Sequence, residues 1–442
     1  MNWVRESRVA LTALTLFTLL AGDFWRYLLS WWGWGIVVAV LLAGWIALAI
    51  KTRVNPRRIP IALAAFILVA ALSTIWSAYP LTTLLAVSTT VATVFVGVIM
   101  AATVSLEQLL RALGVAIRWI IGLSLVFEFV VAAIVRGPVL PLWVDYTPPI
   151  PRAFYWSRAE LFEVFDGGRI QGMVGNANLL ATAAALGLIV FAIQLVDRRV
   201  PVVTAWFWVG AAGLTLLLTQ SATITIALAG CAFTLGVIML ARRLDRRRRR
   251  MLYTGSVGIG VVGTGTAIAL REPLLELLGR SSDLTNRLDI WESVIGLWAE
   301  RPAFGWGWVS YWAPWVEPYS DLAVINGVTY LQAHSAWLDV AMQLGVVGLA
   351  LFTVVVVTAV LRCASWSTDP AEGELAHTPA LRLLPALIMT LLVVQSFAES
   401  RMLVEGGLVL FTFFAVASMR AGLPPIAPSP RVSVGAPGRA SP

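Results

Sequence analysis

Apolar runs long enough to cross a bilayer recur from one end of this chain to the other, and that limits it to a bundle of membrane helices. Lipid offers a bare backbone no hydrogen bonds, so spans of ~20 apolar residues must be helical. The runs fall at about 9–23, 28–50, 59–78, 81–104, 112–135, 178–196, 201–219, 222–241, 252–270, 336–361, 382–398 and 403–420. Hydrophobic residues make up 59% and charged residues 13%, against about 25% charged in a soluble domain. The expected fold is all-α, a polytopic bundle of about twelve transmembrane helices. The first run follows Arg5 and Arg8 and is interrupted by Gly22-Asp23. It resembles a signal peptide, but no small-x-small cleavage site follows, so it is read as retained.

Basic loops set the orientation. Lys51-Thr52-Arg53 with Arg57-Arg58, Asp197-Arg198-Arg199, and Arg242-Arg243-Leu244-Asp245 followed by Arg246 through Arg250 fall on one side. That side is cytoplasmic under the positive-inside rule, and both termini then lie inside. Residues 363–381 fit less well, with Asp369, Glu372 and Glu374, although acidic residues contribute little to orientation. The chain divides into helices one to five (1–136), an extracytoplasmic loop (137–177), helices six to nine (178–270), a large extracytoplasmic loop with its own amphipathic helix (271–335), and helices ten to twelve (336–423). Residues 424–442, Pro-rich and without apolar periodicity, read as a disordered cytoplasmic tail.

The net charge of +8 rests on 32 basic residues, of which Lys51 is the one lysine. The arginine run reads as a topogenic anchor beside anionic lipid, and no nucleic-acid module accompanies it. Cys231 and Cys363 sit in or beside apolar runs, give no metal spacing, and read as small buried residues.

Loops as long as 137–177 and 271–335 are uncommon unless functional. The first holds Arg152, Arg158, the pair Tyr155-Trp156, and the stretch Gly167-Gly168-Arg169-Ile170-Gln171-Gly172-Met173-Val174-Gly175-Asn176-Ala177-Asn178. Glycines allow close backbone approach to a ligand, and Asn176 or Asn178 could cap the sixth helix. Arg169 stands just before that helix N-terminus, an arrangement that favours anions. An ordinary glycine turn with a capping asparagine explains the same residues.

From Leu284 to Trp298 the apolar positions Leu284, Leu288, Trp291, Ile295 and Trp298 follow helical spacing, with Ser282 or Asp283 as cap and Arg301-Pro302 as stop. On the helical wheel Arg287 falls inside the apolar arc, beside Leu284, Trp291 and Val294, with Asp289 and Glu300 opposite. An inward arginine is costly without an anionic partner. That partner is either an internal carboxylate such as Glu292, Glu399 or Glu405, or a bound phosphate. Arg301-Pro302-Ala303-Phe304-Gly305-Trp306-Gly307-Trp308 reads as a turn. Trp306, Trp308, Trp312 and Trp315 fit either an interfacial aromatic belt or a platform on which sugars stack.

His334, one of two histidines, ends this loop and opens an apolar helix. It can titrate near neutrality, and the surrounding arginines cannot serve as bases. Asp339 in the helix is a functional candidate as an intramembrane carboxylate. It lies about 140° around the helix from His334 at 100° per residue, so the two do not share a face. His377 falls on the cytoplasmic side.

Together these residues resemble the O-antigen ligase and polysaccharide polymerase family of bacterial membrane proteins. The resemblance is carried by residues 281–351: Arg287 with Trp291, Pro302 with Gly305 and Gly307, His334-Ser335, and Gly345 with Gly348. Arg169-x-x-Gly172 with Asn178 is similar to the family's stretch before its mid-chain helix. One departure stands out. Where many members carry Ser-Arg, this chain reads Thr219-Gln220-Ser221-Ala222-Thr223, so Arg169, Arg280 or Arg401 must supply the charge, or the donor is held differently.

The resemblance implies glycosyl transfer on the outer face of the bacterial cytoplasmic membrane. The donor would be a polyprenyl-pyrophosphate-linked glycan, and the acceptor a hydroxyl on a glycan or lipid. His334 would be the base, and Arg287, Arg169, Asn178, Trp291 and Arg401 would bind substrate. Arginines can neutralise a pyrophosphate, and neither cofactor nor metal is expected, since the outer loops show no Asp-x-Asp pair or His-rich cluster. Enzymes using polyprenyl monophosphate sugars generally carry acidic residues in an early outer loop, but here that loop offers Asp23 alone. A transporter or flippase for a lipid-linked glycan is the competing class. It would more often show polar residues at mid-bilayer depth and repeated halves.

Overall fold

The computed structural model describes residues 2–52, 54, 56–269, 282–325, 327–368 and 380–421. Arg280, Asp369, Glu372, Glu374, His377 and the tail from residue 424 lie outside the described residues, as do the side chains of Ser282, Asp283 and Leu284. The helices are α1 (Asn2–Leu20), α2 (Gly22–Ile50), α3 (Ile61–Leu72), α4 (Pro80–Thr103), α5 (Leu106–Val130), α6 (Ala177–Val196), α7 (Val202–Thr219), α8 (Ala222–Ala241), α9 (Arg246–Ala269), α10 (Ser282–Glu300), α11 (Ala336–Thr368), α12 (Leu384–Ser396) and α13 (Glu405–Ala421). A short hairpin, β1 (Val324–Ile325) and β2 (Val328–Thr329), is the strand pair described.

The protein is an all-α membrane bundle. Seven described helices are long and apolar enough to cross a membrane: α2, α4, α5 with its extension to Val135, α6, α7, α8 and α11. Three shorter apolar helices fall at Ile61–Ile75, Leu381–Ser396 and Glu405–Met419. Each of the twelve expected runs is largely helical where described, and among the described residues seven helices have the length and apolarity of a crossing. α6 packs on α7 and α5, α4 on α13, α1 on α5, α12 on α8 and α11, and α3 on α11. Cys231 and Cys363 are free thiols buried in this core.

The bundle has two distinct ends. At one, Arg199 Nη1 pairs with Glu107 Oε1 at 2.7 Å, and Asp197 accepts the backbone N–H groups of Ala380 and Leu381. Arg242, which follows α8, donates to the Ser367 carbonyl at 2.8 Å. This is the arginine-rich end. The other end gathers the N-termini of α6, α8, α11 and α13 with the C-termini of α5, α7 and α12.

Both long loops fold onto that second end. Buried Glu128, on α5, draws in the first loop. It accepts from the backbone N–H of Gln171 (2.9 Å) and Gly172 (2.6 Å) and from Ser157 Oγ (2.8 Å). Gly175, with φ +62°, lets the loop pass the Tyr27 ring, where a Cβ would come within 2.3 Å. Asn176 is the N-cap of α6, its side chain accepting from the N–H of Asn178 and Leu179, which leaves Asn178 to turn elsewhere.

In the second loop, α10 buries Ile290, Val294 and Leu297 against Trp312 and Tyr319. Asp289 and Glu300 are exposed, as the wheel predicts. Leu288 and Ile295, expected on the apolar arc, are 39% and 47% exposed. The buried face is centred instead on the row that contains Arg287. Two of the four tryptophans, Trp308 and Trp312, depart from both expectations. Trp308 and Trp312 are core residues, their indole N–H groups donating to Thr90 Oγ1 (2.9 Å) and Asp339 Oδ1 (2.8 Å). Trp315 is exposed. The turn at Pro302–Gly307 docks into a break in α11 at Gly345, whose φ is +65°. There Val346 N–H bonds the Pro302 carbonyl at 2.8 Å. A Cβ on Gly345 would sit 2.3 Å from the Ala303 carbonyl carbon, so the loop and helix approach this closely only over glycine.

Candidate functional site

The link between α12 and α13 places three consecutive side chains in three different networks. Glu399 points to Arg287, His334 and Asn178, Ser400 to Asp339, and Arg401 to Asp23 and Glu405. Short, polar and buried, this link is the hub of the second end.

Glu399 is the centre. Its Oε1 accepts from Arg287 Nη2 at 3.1 Å and Asn178 Nδ2 at 3.0 Å, and its Oε2 meets His334 Nδ1 at 3.1 Å. Burial pushes this carboxyl up, but His334 and then Arg287 and Arg401 outweigh burial and hold it at about 2. An ionised carboxylate can only accept, so His334 Nδ1 must carry the hydrogen it shares with Glu399. A neutral imidazole then keeps its lone pair on Nε2, the arrangement a proton acceptor needs.

The backbone fixes His334. The Ala333 N–H donates to Asp339 Oδ2 at 3.2 Å, and the Ala333 carbonyl accepts from Trp291 Nε1 at 2.9 Å. Held on both sides, the chain turns through a left-handed residue at His334 (φ +49°) and enters α11. The Tyr330 ring stands edge-on to the imidazole, centroids 5.6 Å apart. Asp339 acts through this peptide, as an acceptor for Trp312, Ala333 and Ser400.

Arg287 is 16% exposed and His334 18%, so both partly reach the surface, whereas Glu399 beneath them is 5% exposed. Arg287 Nη1 lies 3.5 Å from Thr223 Oγ1. Asn178 Oδ1 accepts from both Arg169 Nη2 (3.2 Å) and Ser221 Oγ (2.9 Å). Asn178 thus links Arg169, reaching in from the first loop, to Ser221 at the start of α8.

Of the residues singled out from sequence, His334, Arg287, Asn178 and Arg169 form one chain of contacts through Glu399. Trp291 adjoins it with its indole N–H committed to the backbone before His334. Arg401 lies apart, in a four-charge cluster with Asp23, Arg26 and Glu405, its guanidinium 5.7 Å from the Tyr311 ring centroid. Glu399 entered the sequence reading only as one of three possible partners for Arg287. The signal for more was the polar run Glu399-Ser400-Arg401 between two apolar helices.

Residues 206–353 match the family model described as O-antigen ligase. The matched segment includes Ser221, Arg287, Trp291, His334 and the glycines at 345 and 348, whereas Arg169, Asn178, Glu399 and Arg401 lie outside it. A relative, the exopolysaccharide production protein ExoQ of Rhizobium meliloti (strain 1021), is 28% identical over 200 residues. That match covers 41% of this chain and 45% of the relative, so the chain spans less than half the relative's length.

Proposed function

We propose that this protein transfers a glycan from a polyprenyl-pyrophosphate carrier to an acceptor hydroxyl on the outer face of the cytoplasmic membrane. The observation that carries this is the His334–Glu399–Arg287 arrangement: a base oriented by a buried carboxylate, beside a cation suited to phosphate. The acceptor oxygen attacks C1 of the donor sugar as the C1–O bond to pyrophosphate breaks. The hydroxyl proton passes to His334 Nε2, and the pyrophosphate leaves with the electron pair. Arg287, with Arg169 nearby, neutralises the charge that develops on it. Asn178 and Glu399 set where these cations and the imidazole stand. The family segment supports a role in joining or extending polysaccharide.

Reconstituted transfer from purified lipid-linked glycan tests the proposal. New glycosidic bonds should form, and transfer should persist in EDTA because arginines hold the pyrophosphate. No bond formation would favour a flippase, and abolition by EDTA that added metal restores would sink the metal-free mechanism.

The orientation is tested separately. Phe165 is fully exposed in the first long loop, and Arg247 is exposed at the arginine-rich end. Both native cysteines are buried, so background labelling is low. Phe165→Cys should react with an impermeant maleimide in intact cells, and Arg247→Cys only after cells are opened. The reverse pattern would place the site in the cytoplasm.

A further inference from the structure

α5 carries a charge inside the membrane that the His334 centre does not use. With its extension to Val135 this helix has 30 residues, about 45 Å at 1.5 Å per residue. Arg118 lies roughly 18 Å from the start at Leu106, within a hydrocarbon layer about 30 Å thick. An arginine at that depth is costly unless an anion meets it.

Among the described residues no carboxylate pairs with Arg118. Glu6 and Glu107, beside the start of α5, are taken by Arg111 (3.2 Å) and Arg199 (2.7 Å), and Asp197 by backbone N–H groups. Arg118 Nη2 donates to the neutral Gln194 Oε1 at 2.8 Å, and its Nε has no hydrogen-bond partner. The Phe191 ring lies 5.4 Å from its Cζ. A side-chain amide and a ring face orient the guanidinium without neutralising it.

The direction of the side chain selects the leaflet. Gln194 stands just before the end of α6 at Val196, beside the arginine-rich end. Its Nε2 reaches the Leu110 carbonyl, 3.4 Å away, near the start of α5. Arg118 therefore leans along α5 toward that end, as a snorkelling arginine does when it seeks the depth of lipid phosphate.

The surface around it suits acyl chains. Val115 and Trp119 of α5 are 40% and 60% exposed. Trp208 of α7 packs on Phe191, centroids 6.0 Å apart, and a Cβ on Gly122 would lie 3.6 Å from it, so α5 and α7 meet one turn beyond Arg118. A protein partner would have to carry its own carboxylate into hydrocarbon, whereas a lipid arrives with a phosphate already at this depth. Phosphatidylcholine balances that phosphate with its own cation. An unneutralised arginine favours a lipid of net negative charge.

We propose that Arg118 is the head-group ligand of an anionic phospholipid seated against α5 and α7, in the leaflet at the arginine-rich end. The site is separate from the His334 centre, which lies at the opposite end of the bundle, and it stands whether or not the transfer reaction does.

The test uses the full chain in phosphatidylcholine nanodiscs doped with a phosphatidylglycerol that carries a diazirine high in one chain. Photolabel should map to residues 111–122 and 202–212. Unlabelled phosphatidylglycerol should displace it, and phosphatidylcholine and inorganic phosphate should not. Arg118→Leu suits hydrocarbon and should cut this labelling about tenfold, as expected for one charge-assisted hydrogen bond. Arg118→Lys keeps the charge and should keep most of the label. Phosphatidylglycerol should raise the Tm of the wild type and leave that of Arg118→Leu unmoved. Equal displacement by phosphatidylcholine, or labelling that survives Arg118→Leu, would overturn the proposal. Displacement by inorganic phosphate would make this a free-anion site and overturn it as well. The competition is read on the wild type, so it decides the matter even if Arg118→Leu does not accumulate.

Discussion

His334→Ala is expected to slow transfer by ~10²–10⁴-fold, the usual contribution of a positioned general base. Donor binding should survive, because Arg287 and Arg169 remain, so the loss should appear in kcat. Single-turnover transfer with saturating donor measures it. The imidazole packs against Tyr330 and is partly exposed, so alanine leaves no sealed void and the protein should accumulate normally. Ordinary turnover by this variant would remove His334 from the chemistry.

The tautomer of His334 follows from the Glu399 contact. A base must offer a lone pair to accept a proton, and the contact with Glu399 leaves that lone pair on Nε2. Glu399, held at about 2, stays ionised over any range in which the enzyme is assayed. Its folded value is depressed, so the stability it contributes is present above the ordinary carboxylate range and is lost only as pH falls toward about 2. Glu399→Gln can turn its amide N–H toward Nδ1, and so no longer dictates which ring nitrogen carries the hydrogen. Its kcat should drop at least about tenfold as the preferred tautomer is lost. An unchanged kcat in Glu399→Gln would make Glu399 a structural residue only.

The apolar periodicity made the helical class legible, because a backbone in lipid has one way to satisfy itself. It could not fix how many helices cross, since residues 61–75, 381–396 and 405–419 are apolar but short. His334 and Arg287 were legible from motif spacing, and Arg287 also from its place on the buried face of α10. Glu399 was not, because a carboxylate beside a helix end reads the same in sequence whether it meets solvent or three buried donors. Glu292, Glu399 and Glu405 were equivalent until packing separated them. The tryptophans misled for a related reason. Indole suits interfaces, sugars and cores alike, and Trp308 and Trp312 are placed in the core by partners far away in sequence, Thr90 and Asp339. Asn176 and Asn178 were equivalent caps in sequence. Helix geometry assigned the cap to Asn176 and freed Asn178 to join Arg169, Ser221 and Glu399.

Arg287→Lys is expected to cost ~10²–10³ in kcat/KM, the scale of losing one preorganised donor aimed at developing charge. The substitution keeps the positive charge, so a purely electrostatic role would be largely retained. What it removes is the planar fork, by which Arg287 reaches Glu399 with one terminal nitrogen while the other stands near Thr223. A lysine ammonium would serve as a point charge and could satisfy Glu399 alone, leaving nothing for the pyrophosphate. Glu399→Gln combined with Arg287→Lys separates these possibilities. If the lysine fails because Glu399 captures it, removing the carboxylate should recover part of the donor affinity, seen as a lower KM than in Arg287→Lys alone. If the geometry of the fork is what matters, KM stays high in the double variant. Near-normal kcat/KM in Arg287→Lys would exclude a specific phosphate clamp and leave Arg287 as the internal counter-ion of Glu399.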